Sequence, residues 1–128
     1  MERLEELNES LVRRWYGQLG REGYLLLSTD VVCHISGSNP VAGVYRGPAA
    51  IEALVEIIRA QAGGPCQVII RDLVAHEAYV VALVVVSVRR AAQAIESTQA
   101  HVFELRAGRI CNIRVLIEDP GAVQRFWA

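Results

Sequence analysis

The chain has 128 residues, 52% of them hydrophobic, and a net charge of −1 from 13 basic and 14 acidic side chains. That is enough for one domain, residues 1–128, with a substantial core, and too little positive charge to capture nucleic acid or an anionic membrane surface. Cys33, Cys66 and Cys111 stand far apart with no CxxC pair, so neither a zinc site nor a disulfide framework is expected, and free thiols suit a reducing, cytoplasmic setting.

The opening MERLEELNES is charged and helical in pattern, unlike a signal peptide. Leu4, Leu7, Leu11, Trp15 and Leu19 recur at three- and four-residue spacing, with Val12 and Tyr16 beside them. They predict an amphipathic helix, ended by Gly20 and Gly23. Tyr24 to Leu27 reads as a further helical turn. Ser28, Thr29 and Asp30 break the pattern before a strand from Val31 to Ser36. Gly37 to Gly47 reads as one long loop of turn formers. Pro48 begins a second helix with Ile51, Leu54, Val55 and Ile58 on one face, stopped by Gly63-Gly64-Pro65.

Four strand-like runs follow: CQVIIRDLVAH, YVVALVVVSVRR, AIESTQAHVFELR and RICNIRVLIE. The links between them are His76-Glu77-Ala78, Ala91-Ala92-Gln93 and Ala107-Gly108, short enough for an antiparallel meander. The apolar run from Tyr79 to Val88 is too short to cross a bilayer. It is apolar on both faces, Val80, Ala82, Val84, Val86 and Val88 on one and Val81, Leu83, Val85 and Ser87 on the other, so both faces need a cover. Helices supply one. A second copy supplies the other, which predicts a homodimer through the sheet. In the third run Gln99, His101, Phe103 and Leu105 share one face, while Ala100, Val102, Glu104 and Arg106 share the other. Asp119-Pro120 opens a terminal helix, with Asp119 at the N-cap and Pro120 at the first helical position. The order predicts an α+β domain whose sheet, if curled under its helices, encloses a cavity.

Few polar side chains interrupt the apolar runs. His34 alternates with Val32 and Ser36 in mid-strand, and His101 lies in a central strand beside Phe103. Each is open to two readings, an acid or base titrating near neutrality or a buried histidine held by hydrogen bonds. Trp15 and Tyr16 read first as core; the rival reading has Tyr16 offering its hydroxyl to a substrate oxygen. Asp72 and Arg114 are candidate pocket residues, although Arg114 also fits an outer face with Asn112. Glu96 and Gln99 fit a cavity mouth. His76 reads as a turn residue, and three scattered histidines promise no metal. There is no Gly-rich phosphate loop, HExxH or nucleophile elbow, so any chemistry is expected to be acid–base work without a cofactor.

Four segments, in order, carry a resemblance: NESLVRRWYGQL, DVVCHISGSNPVAGVYRGPAAI, HVFELRAGRI and EDPGAVQRFWA. With them the chain resembles the SnoaL-like, or polyketide-cyclase-like, branch of the nuclear-transport-factor-two-like and ketosteroid-isomerase-like superfamily. The resemblance implies a cone, a strongly curved, mixed but mostly antiparallel sheet wrapped around N-terminal helices and enclosing a deep apolar pocket. It implies a histidine and an aspartate in the site, which fall on His101 and on Asp119 as general base, with Glu118 as the one-residue register alternative. A tyrosine used as an oxyanion donor in isomerase relatives points to Tyr16. Superfamily members include isomerases, cyclases, epoxide hydrolases, dehydratases and non-catalytic binding subunits, and fold does not fix function. The expectation is therefore an acid–base enzyme of cyclase or isomerase type acting on an apolar carbonyl, enol or epoxide compound. His101, His34 and Asp119 would move protons; Tyr16, Trp15, Phe103, Asp72 and Arg114 would contact the substrate. The rivals are a pocket of the same shape that binds without turnover, and a protein-interaction module.

Overall fold

The computed structural model describes residues 2–18, 22–37, 40–62, 66–90 and 92–127, and of residues 2, 22, 61, 62 and 127 the backbone alone. Helix α1 (Glu2–Gly17) is followed by a 3-10 turn (Glu22–Leu26) and strand β1 (Leu27–Ile35). Strand β2 (Gly43–Arg46), helix α2 (Pro48–Ala62), and strands β3 (Cys66–His76), β4 (Tyr79–Arg90), β5 (Gln93–Arg106) and β6 (Arg109–Ile117) come next. Helix α3 (Pro120–Trp127) ends the series. The strands form one sheet in the order β2-β1-β6-β5-β4-β3. Among the described residues only β1 and β6 pair in parallel; β3 to β6 form the expected meander. The architecture is the mixed α+β arrangement expected, and the sheet does not close into a barrel.

Register shifts at Leu27/Val32, Ile70/Asp72 and Glu104/Leu105 bend the sheet. Its concave side collects Val31, Val80, Ala82, Val84, Phe103 and Ile110 against Val12 and Trp15 of α1 and Ile51 of α2. The β5–β6 turn has positive φ at both Ala107 and Gly108, 52° and 76°. That is the geometry whose twist matches a tight hairpin.

Three expectations change. The region from Gly37 to Gly47 is not all loop: β-prone Val44 and Tyr45 pair with β1 as edge strand β2, bracketed by Gly43 and Gly47 at positive φ. Residues 38 and 39 of that stretch lie outside the described residues. Strand β1 starts at Leu27, ahead of Val31, because Ser28, Thr29 and Asp30 extend rather than turn. His76 closes β3 rather than sitting in the turn, which falls on Glu77 and Ala78.

The buried face of α1 keeps Trp15 and the half-buried Leu11 of the expected stripe but turns its first two leucines outward. Asn8, Val12 and Trp15 are buried, whereas Leu4 and Leu7 are 49% and 59% exposed. Two polar ties fix this rotation. The Asn8 amide donates to the Glu77 carbonyl at 3.2 Å, and the Glu5 carboxylate accepts the Glu77 N–H at 2.8 Å. After α1, Gly23 donates its N–H to the Gln18 carbonyl at 2.9 Å. A Cβ there would stand 2.5 Å from that oxygen, so the close approach needs glycine. The other expected stops, Gly20 and Gly63-Gly64-Pro65, lie outside the described residues, as do Leu19 and Ala91.

Candidate functional site

The concave side of the sheet, the end of α1, the inner face of α2 and one turn of α3 enclose a cavity of about 390 Å³. Its walls are largely apolar: Ile51, Leu54, Val55 and Ile58 from α2, Val68, Val86 and Val88 from β3 and β4, Val123 from α3. The helix periodicity explains the α2 contribution, since those four residues were the predicted apolar stripe. Val123 reaches the cavity because Asp119 caps α3: its Oδ1 accepts the Ala122 N–H at 3.1 Å, the geometry that starts a helix.

Into these walls β5 projects Ser97, Gln99, His101 and Phe103, alternate residues on one face. Across from them α1 supplies Trp15 and Tyr16. The Tyr16 hydroxyl lies 2.6 Å from His101 Nδ1. His101 Nε2 lies 2.8 Å from Gln99 Oε1, and Gln99 Nε2 donates to Ser97 Oγ at 3.2 Å. Facing a carbonyl oxygen, Nε2 carries the ring hydrogen, so Nδ1 accepts the tyrosine O–H. Phe103 packs edge-on to both rings, and its side chain is fully buried. The polar chain is thereby held between apolar surfaces.

Burial sets the electrostatics. His101 is 9% exposed, and desolvation of its cation lowers its pKa from 6.5 to about 4. The ring is neutral at physiological pH. Desolvation likewise raises Tyr16 well above the ordinary phenol range and pushes the Cys33 thiol, another wall residue, up to about 12. Among the described lining residues the only charged side chain is Arg59, which pairs with Glu56 at 3.4 Å. No group of three or more His, Cys, Asp or Glu side chains among the described residues is placed to hold a metal ion.

Of the residues singled out in the sequence, the structure brings together His101, Tyr16, Trp15 and Phe103. Apart from Gln99, it does not bring the others to them. His34 alternates with the cavity residues Cys33 and Ile35 and so projects the other way, into a separate depression shared with Val44, Arg114 and Leu116. Arg114 is its register partner on β6 and turns the same way. Asp72 sits at the β3 bulge, exposed, with its carboxylate accepting the Leu73 N–H at 2.9 Å. Asp119 and Glu118 are both exposed, and Asp119 is engaged as a helix cap, so the carboxylate expected beside His101 is not there. Glu96 is exposed on the opposite face from Gln99. Sequence reasoning missed Ser97, which is 8% exposed. Its parity with Gln99 and His101 was the available signal. Gln99, expected at the mouth, is the direct partner of His101.

The family model for the SnoaL-like domain matches residues 25–113, more than half of the chain. An uncharacterised protein of Mycobacterium tuberculosis is 26% identical, the match covering 97% of this chain and 98% of that one. Among solved structures, Bal32a from a soil-derived mobile gene cassette superposes with a TM-score of 0.91 at 22% identity, covering 97% of this chain and 98% of its own. A putative SnoaL-like polyketide cyclase from Jannaschia sp. CCS1 superposes with a TM-score of 0.73 at 15% identity, covering 89% and 87%.

Proposed function

The chain belongs to the SnoaL-like domain family, and from that premise we propose that it is a small-molecule enzyme of cyclase or isomerase type, working without a cofactor on an apolar compound that carries one reactive oxygen. The observation that carries this reading is the Tyr16–His101 contact of 2.6 Å inside a cavity whose other walls are largely apolar. The apolar walls take the carbon skeleton; the tyrosine hydroxyl takes the oxygen. When the ring hydrogen sits on Nδ1, His101 donates to the tyrosine oxygen, and the hydroxyl so freed stabilises charge that develops on a carbonyl or epoxide oxygen, best where water is excluded. His101 orients that hydroxyl through Nδ1 and itself stays neutral. The fold's polyketide-cyclase-like neighbour from Jannaschia is consistent with this class.

The test incubates the protein with a panel of cyclic ketones, enones, lactones and epoxides in heavy water. Mass spectrometry reads product and deuterium incorporation. Protein-dependent turnover of at least one compound is expected, reduced about 100-fold or more in Tyr16→Phe and His101→Gln, the scale of a lost oxyanion donor or proton-transfer group. Equal turnover in all three proteins refutes the assignment of these residues. A second reading has its own support: the described lining residues include no carboxylate, and His101 is too weakly basic to be a strong proton acceptor at neutral pH. In that reading the pocket binds its ligand unchanged. Saturable binding with neither product nor exchange across the panel would favour it.

A further inference from the structure

The chain Tyr16–His101–Gln99–Ser97 is built from side chains that can each donate and accept a hydrogen bond: a phenol, a neutral imidazole, an amide and an alcohol. No member is a carboxylate, which only accepts, or an ammonium or guanidinium, which only donates. A chain of this composition has two complete hydrogen-bonding arrangements on the same heavy atoms. In the first, Tyr16 donates to Nδ1, Nε2 donates to the Gln99 carbonyl, and the Gln99 amide nitrogen donates to Ser97. The free lone pair of the tyrosine oxygen then accepts a hydroxyl from the ligand. In the second, the Gln99 amide is turned by half a turn. Ser97 donates to its oxygen, its nitrogen donates to Nε2, Nδ1 donates to the tyrosine oxygen, and the tyrosine O–H is released to a ligand carbonyl. Both arrangements hold the same number of protons. The ring proton alone changes nitrogen, by exchange with water before the ligand arrives.

We infer that Gln99 is a positioning residue that makes this reversal possible, so that one site recognises both a carbonyl oxygen and an enolic or phenolic hydroxyl at the same place on an apolar skeleton. The inference rests on Tyr16 being the polar contact of the ligand, as proposed above. The end group decides whether both directions are equally available. A glutamine can satisfy Nε2 whether that nitrogen is a donor or an acceptor. Phe103, packed edge-on to His101 and Tyr16, leaves the rings in place while the protons rearrange. For an enzyme that interconverts ketone and enol, such a site takes up either compound from solution with a complete set of hydrogen bonds.

The experiment uses β-tetralone, a two-ring ketone, and β-naphthol, a hydroxyl compound of nearly the same shape. Affinity is measured for each, and nitrogen-15 NMR reads which His101 ring nitrogen carries the hydrogen in each complex. The wild-type protein is expected to bind both within about tenfold, with the ring hydrogen on Nδ1 in the ketone complex and on Nε2 in the naphthol complex. In Gln99→Met, which keeps the length and removes the partner, an unpaired buried N–H at Nε2 is the worse of the two defects. That variant is expected to keep β-tetralone within about threefold and to lose β-naphthol by at least about tenfold. The same ring form in both complexes, or equal weakening of both ligands in Gln99→Met, overturns the inference while leaving Tyr16 as the ligand's contact. Failure of both ligands to bind the wild-type cavity overturns that reading together with this one.

Discussion

Lowering the pH tests the burial of His101 directly. The unfolded chain takes up a proton on this ring near pH 6.5, whereas in the folded protein desolvation holds the ring neutral down to about 4. Between those values the unfolded state binds more protons, so stability falls as the pH falls, and below about 4 the loss levels off. Each pH unit crossed costs about 1.4 kcal/mol. From pH 7 to pH 5 the ring therefore removes about 2 kcal/mol, and the whole window removes about 3 kcal/mol. The ring is 9% exposed, so solvent screens little of this. Urea denaturation at several pH values, on the wild type and on His101→Gln, isolates the term. The other titratable groups are common to both proteins and cancel in the difference. The wild type is expected to lose about 2 kcal/mol more than His101→Gln between pH 7 and pH 5. An NMR titration gives a second readout, in which the His101 ring stays neutral to about pH 4. Parallel stability curves for the two proteins, or a ring that titrates near 6.5, would refute the argument that burial keeps the site neutral.

Two further outcomes follow from where side chains sit. Asp119→Ala removes the cap of α3 and is expected to lower the unfolding free energy by about 1 kcal/mol, while ligand affinity in the cavity changes by no more than about threefold, because Asp119 is exposed and outside the lining; a hundredfold loss of activity in a folded variant would return Asp119 to the role of general base. On the outer sheet face Leu83, Ala100 and Leu116 stand in one register row, with Leu83 45% and Leu116 51% exposed. A second copy is the expected cover, so light scattering should give twice the 14.1 kDa chain mass at micromolar concentration and a single mass for Leu83→Glu; a monomeric wild type or a Leu83→Glu dimer would refute it.

Most of the fold was legible because long periodic segments carry it. The β-branched run of β4, the alternation of β5 and the short links around them are plain in the sequence, and the meander follows from them. The stripe Ile51, Leu54, Val55 and Ile58 put the correct face of α2 inward. What failed was local and short. Strand β2 has four residues among glycines and is stabilised by pairing with β1, a tertiary effect no window of its own sequence contains. The rotation of α1 was decided by Asn8 and Glu5 reaching the β3–β4 turn, more than sixty residues away in sequence. Leucine spacing placed Leu11 and Trp15 correctly and misplaced only Leu4 and Leu7.

The site was half legible, and parity separates the half that was from the half that was not. His34 and His101 look alike as single histidines in apolar strands. In β5, however, the residues alternating against His101 are Val102, Glu104 and Arg106, and charged residues at two of these turn that face to water. His101 therefore goes inward with Phe103 and carries Gln99 and Ser97 with it. In β1 the same rule sends His34 outward, because it shares its face with Ser36 while Val31, Cys33 and Ile35 form the fully apolar one. The carboxylate next to His101 could not be settled by parity, since Glu118 and Asp119 lie past the last ladder pair at Ile117. Beyond that point the chain is turning into α3, and the capping demand of Ala122 N–H claims the Asp119 side chain first. The polar partner that His101 does have came instead from its own strand and from a helix more than eighty residues upstream. A neutral tyrosine–histidine–glutamine chain in an apolar cavity is thus what this sequence builds in place of a histidine–carboxylate pair.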